Sequence, residues 1–410
     1  MSTTTYILAG WLIDGSGGPI QEKMLLKIVD GRFSAIKKYS EEDQRNLTPI
    51  TDLSHCTILP PLVDAHVHLF MSGTTDRATR EHQLVAGYEE LRPVIARHLD
   101  YLFSHGVLAA RDGGDKGGCA LTYRQSEAMH PEVVLKVAGR AWHMHGRYGR
   151  LIGRSPADGE RLVDAYGRDD AVIDHVKLVN SGLNSLKVFG QETEPQFSET
   201  ELAMVVAAAV KDGRKVMVHA NGREPVRRAI LAGCHSIEHG FFMGRENLEL
   251  MAEKGTFWVP TVFTMKAFAA NFAHIGVQAD LQVVEKNLHH QLEQLALARE
   301  LGVRVALGSD SGSLGVLHGE SMVEEMKLFL KAGYSLAEMV RCATSDGAQL
   351  LGLDDFGLLA AGKTATFLVT RGGPSLLPRK LSYLENIYVN GQPSPLYRKN
   401  PVKNIAAKDS

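Results

Sequence analysis

The chain has 410 residues, enough at roughly 150 per domain for two or three domains and a large buried core. Hydrophobic residues make up 44% and charged residues 22%, which excludes disordered and fibrous classes. With 45 Lys+Arg against 47 Asp+Glu the net charge is −2, which argues against nucleic acid or an anionic membrane as a partner.

In chain order, residues 1–59 predict short strands with tight turns: Thr5–Asp14, Met24–Gly31 and Arg32–Lys38, with Asp30-Gly31 as a hairpin signal. A polar stretch with little periodicity follows, up to Pro60-Pro61. Short apolar runs then alternate with helix-period segments, the pattern of βα units around a parallel sheet. The strand candidates are Leu62–Phe70, Val107–Asp112, Val133–Ala138, His175–Asn180, Lys215–Ala220, Ser236–Phe242, Phe257–Val262 and Val303–Ser309. That set suffices for an α/β fold of the (β/α)8 TIM-barrel type over 60–354. Ser198-x-x-Glu201 and Ser335-x-x-Glu338 read as capping boxes, and Gly213, Gly233, Gly255 and Gly302 as helix terminators. Pro93 predicts a kink or a break in the first long helical stretch. Beyond Leu353 the texture returns to strands, Ala365–Gly373 and Asn386–Pro393, so 1–59 and 355–410 are expected to build one small composite β-sandwich domain.

The barrel strands end in metal-ligand types. In Asp64-Ala-His-Val-His68 the alternation of a strand points His66 and His68 to one face. His219 ends the fifth candidate strand, His239 the sixth and Asp310 the eighth, each where an apolar run gives way to a loop. Four imidazoles and a carboxylate at one rim suit one or two divalent transition metals. Four scattered cysteines (Cys56, Cys119, Cys234, Cys342) without a C-x-x-C pair, no basic segment leading into an apolar run at the start and no run of bilayer length favour a cytoplasmic location with no membrane partner.

This set resembles the amidohydrolase superfamily. The resemblance is carried by Leu59-Pro-Pro-Leu-Val-Asp-Ala-His-Val-His68, Ile237-Glu-His-Gly240, Gly308-Ser-Asp-Ser-Gly-Ser313, His318-Gly-Glu320 and Gly357-Leu-Leu-Ala-Ala-Gly-Lys363, and is greatest to the imidazolonepropionase and Xaa-Pro dipeptidase branch. It implies a metal-dependent hydrolase with two divalent ions, zinc expected: His66, His68 and Asp310 on the more buried ion, His219 and His239 on the other. A lysine carboxylated by CO2 would bridge them. Two lysines compete for that place, Lys177 in the better strand run and Lys187 in Ser185-Leu-Lys-Val-Phe. The implied reaction is cleavage of an amide C–N bond by a metal-bridging hydroxide, with Asp310 as general acid and base. Hydrolysis of a cyclic amide or lactone is the alternative. A mononuclear deaminase fits less well, because the first carboxylate after His219 is Glu224, five residues on. A catalytically silent binding protein on the same fold ranks last, since no ligand position is missing.

The segment Gly139–Arg154 concentrates Arg140, Arg147, Arg150 and Arg154 with His143, His145 and Tyr148 on a loop expected over the barrel mouth. Guanidinium forks suit carboxylates, so a small-molecule dipeptide, N-acyl amino acid or related carboxylate-bearing amide is expected as substrate. His143, His145, Arg147, Tyr148 and, after Asp310, His318 are the candidate contacts. A homo-oligomer is compatible with the sequence.

Overall fold

A computed structural model describes residues 3–47, 49–126, 130–274 and 279–399; the end of the expected second sandwich segment, 400–410, lies outside the described residues. The chain begins with β1 (Thr4–Leu12), β2 (Gln21–Val29), β3 (Arg32–Lys38) and β4 (Ile50–Leu59). Then come β5 (Leu62–Val67), β6 (Val107–Asp112), β7 (Val134–Val137), β8 (Ala141–Trp142), β9 (Gly153–Arg154), β10 (His175–Val179), β11 (Lys215–Ala220), β12 (Ser236–His239) and β13 (Phe257–Val259). The C-terminal part adds β14 (Phe367–Arg371), β15 (Asn386–Val389) and β16 (Gln392–Pro393).

Both chain ends enter one seven-stranded sheet, β16-β15-β14-β4-β1-β2-β3. Asp30 and Gly31 both take positive φ (49° and 77°), the geometry a two-residue hairpin between β2 and β3 requires. Leu26, Ile28, Phe33, Ile58 and Phe367 form the apolar cluster of this sheet. The polar stretch before Pro60 holds two elements that its weak periodicity hides: the helix Glu41–Asn46, closed by a Ser40/Asp43 capping box, and β4 itself.

The middle of the chain is α/β. Its parallel strands form two sheets, β5-β6-β7 and β13-β12-β11-β10-β8-β9. β5 and β6 are buried along their whole length, as expected for parallel strands covered on both faces. The expected eighth strand, 303–309, is not a regular strand. It bridges the two sheets through Trp258–Val305 and Val67–Ser311 pairs, with Ala65 N donating to Leu307 O at 3.0 Å. Gly308 explains the close approach: a Cβ there would stand 2.5 Å from Val259 and 3.0 Å from His66. On the other side, Asp174 N at the start of β10 donates to Val137 O of β7 (2.9 Å).

The capping boxes at Ser198 and Ser335 are present. The helix break near Pro93 falls elsewhere: a short helix, Arg77–Gln83, ends before Gly87, and Tyr88–Ser104 runs through Pro93. Pro93 is the sixth residue of that helix, past its first turn, so the helix continues without the N–H that would bond to Glu89 O. No described helix is long and apolar enough to cross a membrane.

Candidate metal centre

The strand ends converge on a cavity of about 500 Å3, whose walls include His66, His68, Lys177, His219, His239 and Asp310. Register explains the convergence. Val179 pairs with His219 across β10 and β11, and Ala220 with His239 across β11 and β12, so the ends of these three strands lie side by side. His66 and His68 leave β5 on one face, and Asp310 N donates to His66 O (2.8 Å). Asp64, on that same face of β5, accepts from Ser309 N (2.9 Å) and Ser309 Oγ, clamping the segment that delivers Asp310. Asp310 takes φ 57°, a left-handed conformation that Asp tolerates better than most residues.

One nitrogen of each imidazole is fixed by a partner, which decides what the other can do. His66 Nδ1 donates to Glu238 Oε2 (2.8 Å) and His68 Nδ1 to Gly114 O (2.9 Å). A carbonyl oxygen only accepts, so His68 presents a bare Nε2. By the same reasoning His219 Nε2 donates to Gly182 O (3.1 Å) and leaves Nδ1 bare. His239 Nδ1 meets Thr261 Oγ1 at 2.7 Å, and Trp258 Nε1 holds its carbonyl at 3.0 Å. The nitrogens His66 Nε2 and His68 Nε2 face Asp310 Oδ1 at 3.6 and 3.7 Å, and donor atoms of these three residues all lie within 4.8 Å of one another. The His219 and His239 rings stand 4.7 Å apart, and His239 is 5.0 Å from His66.

Burial sets the charge states. Desolvation, reinforced by Lys177, holds His66 well below the usual imidazole range and brings His68 to about 4 and His219 to about 3; His239 is also held well below it, by desolvation and then its imidazole neighbours. All four are therefore neutral imidazoles at physiological pH. Burial raises Asp310 to about 7, against the lowering effects of Ser313 and Lys177. Lys177 is lowered to about 8 by burial, so a substantial fraction of its amine is neutral near that pH. Its Nζ is buried with no hydrogen-bond partner among the described residues, and so is His66 Nε2. Orphaned buried donors and lone pairs are costly unless something binds there. Neutral imidazoles, a carboxylate and an unpartnered amine around one cavity fit divalent cations of the zinc type.

Gly113 leaves room for this cluster. A Cβ at that position would stand 2.7 Å from His68 Cε1 and 3.2 Å from His66 Nε2. Gly113→Ala is accordingly expected to displace the His68 ring and to lower stability by about 1–3 kcal/mol, checked by urea unfolding. An unchanged midpoint would contradict this placement.

Of the two candidate lysines, Lys177 is buried in the cavity wall, whereas Lys187 lies on an exposed loop outside any strand. The expected substrate contacts need more correction. Tyr148 lines the cavity, its ring 5.2 Å from His219. His143, His145 and Arg147 do not line it. His143 is buried against Met144 O (2.9 Å), His145 is exposed, and Arg147 donates to Glu194 O (2.9 Å). Arg154 is consumed by an ion pair with Asp169 and by stacking on Trp142. His318 is fully buried, stacked on His98 at 3.9 Å behind the His68 carbonyl. It supports the backbone of the site and cannot touch a molecule in the cavity. Glu224, the first carboxylate after His219, is exposed, paired with Arg228 at 2.7 Å and outside the cavity lining.

Four residues that sequence reasoning missed, Glu238, Arg111, Ser236 and Arg80, complete the site. Glu238, fully buried, joins His66 to Arg111 (2.8 Å to Nη2) and Ser236 (2.5 Å). Arg111 also donates to Ala65 O at 2.7 Å, tying β6 to β5. Two polar residues alternating with Ile237 in a buried strand were the available signal for Ser236 and Glu238. Arg80, from the helix Arg77–Gln83, reaches the cavity wall, and its sequence neighbourhood gives no sign of it.

Known proteins bear on these residues. The amidohydrolase family profile matches residues 57–399. Ochratoxinase of Aspergillus niger is 27% identical over an alignment of 386 residues, spanning 85% of this chain and 76% of that protein. Imidazolonepropionase of Deinococcus deserti is 26% identical over 353 residues, spanning 78% and 79%. The crystal structure of a Xaa-Pro dipeptidase with methionine bound in its active site superimposes with a TM-score of 0.79 at 27% identity, covering 96% of this chain and 100% of that one. The α/β part is therefore TIM-barrel-like, and the chain belongs to the amidohydrolase family of hydrolases.

Proposed function

We propose that this protein hydrolyses the C–N bond of a small carboxylate-bearing amide, a dipeptide or N-acyl amino acid, at a two-metal centre. The observation that carries this reading is the single cavity onto which four neutral imidazoles, Asp310 and the unpartnered amine of Lys177 all open. His66, His68 and Asp310 would hold one ion and His219 and His239 the other, with Lys177 between them after its neutral amine has taken up CO2. Zinc is the expected metal. Bound there, such ions would acidify water and polarise a scissile carbonyl. Asp310 would move the proton. Ser313 Oγ anchors its Oδ2 at 2.9 Å, leaving Oδ1 toward the imidazoles, placed to accept the proton of an attacking water and return it to the leaving nitrogen. Glu238 would keep the His66 proton on Nδ1, and Tyr148 would cover the substrate beside His219.

The fold reading extends in the same way. The bridging 303–311 segment and the Asp174–Val137 hydrogen bond support a closed (β/α)8 barrel over 60–354. The shared seven-stranded sheet supports a composite sandwich of 1–59 and 355–410. Four buried, unpaired cysteines support a reducing, cytoplasmic setting.

The imidazolonepropionase relative favours a second reading, hydrolysis of a cyclic amide or lactone. A panel separates the two. Enzyme supplied with zinc and bicarbonate is expected to release amine from dipeptides or N-acyl amino acids in preference to opening lactams and lactones. Ring opening without any amine release would reverse the order.

A further inference from the structure

The substrate class can be narrowed, on the strength of the amide-hydrolase reading, by what else lines the cavity. Among the described residues Arg80 is the arginine that lines it. Its Nη1 donates to Ser72 O (2.8 Å) and to Gly312 O (3.0 Å), the second only two residues from Asp310. Its Nε and Nη2 have no hydrogen-bond or ion-pair partner among the described residues. The acid on its own helix, Glu81, is taken by Arg77 at 2.7 Å. One edge of a rigid planar fork is thus tied to backbone carbonyls, and the other is left for a planar anion. Burial lowers Arg80 to about 10, against the raising effect of Asp310, so it stays charged at neutral pH.

Asn184, Asn221, Thr264 and Ser313 add polar groups to the lining; the rest is largely apolar, including Phe70, Met71 and Leu84 on the β5 side. Leu186, Phe241, Met265 and Phe268 follow β10, β12 and β13, away from the β5 end that carries Arg80. Leu183 and Leu151 extend this surface at the mouth, 57% and 48% exposed. Apolar walls with one or two placed charges are how pockets bind a bulky apolar group in a fixed orientation. Asp310 lies between the two sectors, since its segment pairs with both β5 and β13.

We infer that Arg80 determines specificity: the substrate is an amide whose leaving amino acid offers a free α-carboxylate to Arg80 and whose acyl half is bulky and apolar, packed against Phe241, Met265 and Phe268.

Three probes test this: N-benzoyl-L-phenylalanine, its C-terminal carboxamide and N-acetyl-L-phenylalanine. The metal-loaded enzyme is expected to show kcat/KM about tenfold or more higher for the acid than for its carboxamide, and higher for benzoyl than for acetyl. Arg80→Met should bring the acid-to-carboxamide ratio to about one, mainly through KM, with Arg80→Lys keeping part of it. Phe268→Ala should shrink the benzoyl-to-acetyl preference about tenfold. Calorimetry on metal-free protein gives a readout independent of turnover: the acid should bind about tenfold tighter than the carboxamide, and Arg80→Met should erase the difference. Equal handling of acid and carboxamide by the unmodified protein, or a ratio that survives Arg80→Met in a protein with an unchanged unfolding midpoint, would overturn the role of Arg80. If loaded enzyme releases amine from no amide, the amide-hydrolase reading and this substrate class fail together, whereas turnover of neutral amides alone overturns only the class.

Discussion

Asp310→Asn is expected to lower kcat by at least about 10²–10⁴-fold on any amide the enzyme cleaves, with the fold retained. Asn is isosteric, keeps a carbonyl oxygen for the Ser313 hydroxyl and preserves the backbone bond from residue 310 to His66 O. It lacks a carboxylate oxygen that can accept a proton from water and hand it to the departing nitrogen, and it is a poorer partner for a cation beside His66 and His68. Both losses act on the reacting centre, so the fall should appear in kcat and kcat/KM together, with unfolding in urea little changed. A variant retaining more than a tenth of the activity would remove Asp310 from proton transfer.

The second large effect is on stability. Glu238→Gln keeps the shape of the side chain and an acceptor for His66 Nδ1, but leaves the Arg111 guanidinium, only 3% exposed, without its carboxylate 2.8 Å away. Breaking a buried pair on one side costs about 3–5 kcal/mol, because the remaining charge has neither water nor a counterion. Pairing Glu238→Gln with Arg111→Met should recover part of that loss, since the stranded charge is then gone. Urea unfolding of the two single variants and the double variant gives the coupling directly. Additive losses would show that the pair does not act as a unit.

These effects also show which parts of the site were readable beforehand. His66, His68, His219, His239 and Asp310 stand where apolar runs stop, and a parallel strand leaves little freedom in which way its last residues point. Lys177 could be ranked above Lys187 because one lies within a buried strand run, while the other follows a Gly-Leu-Asn-Ser stretch that stays a loop. Residues carried by connections were not readable. The arginines of 140–154 looked like a carboxylate clamp, yet Arg147 and Arg154 satisfy a local carbonyl and a local aspartate. His318 sits on a segment that turns inward, beneath His68 rather than over it. Arg80 could not be seen, because its reach into the cavity depends on where the short helix Arg77–Gln83 packs, which neither composition nor periodicity reveals. The 303–309 segment was legible as an apolar run, but its irregular pairing accompanies the close packing of Gly308 against His66.

Metal content decides the central claim most directly. Protein purified, stripped with a chelator, reconstituted with zinc and bicarbonate and freed of excess ion should hold two ions per chain by elemental analysis, while Lys177→Ala treated in parallel holds one or fewer. Less than one ion per chain in the unmodified protein, or two in Lys177→Ala, would contradict a two-metal centre organised around that lysine.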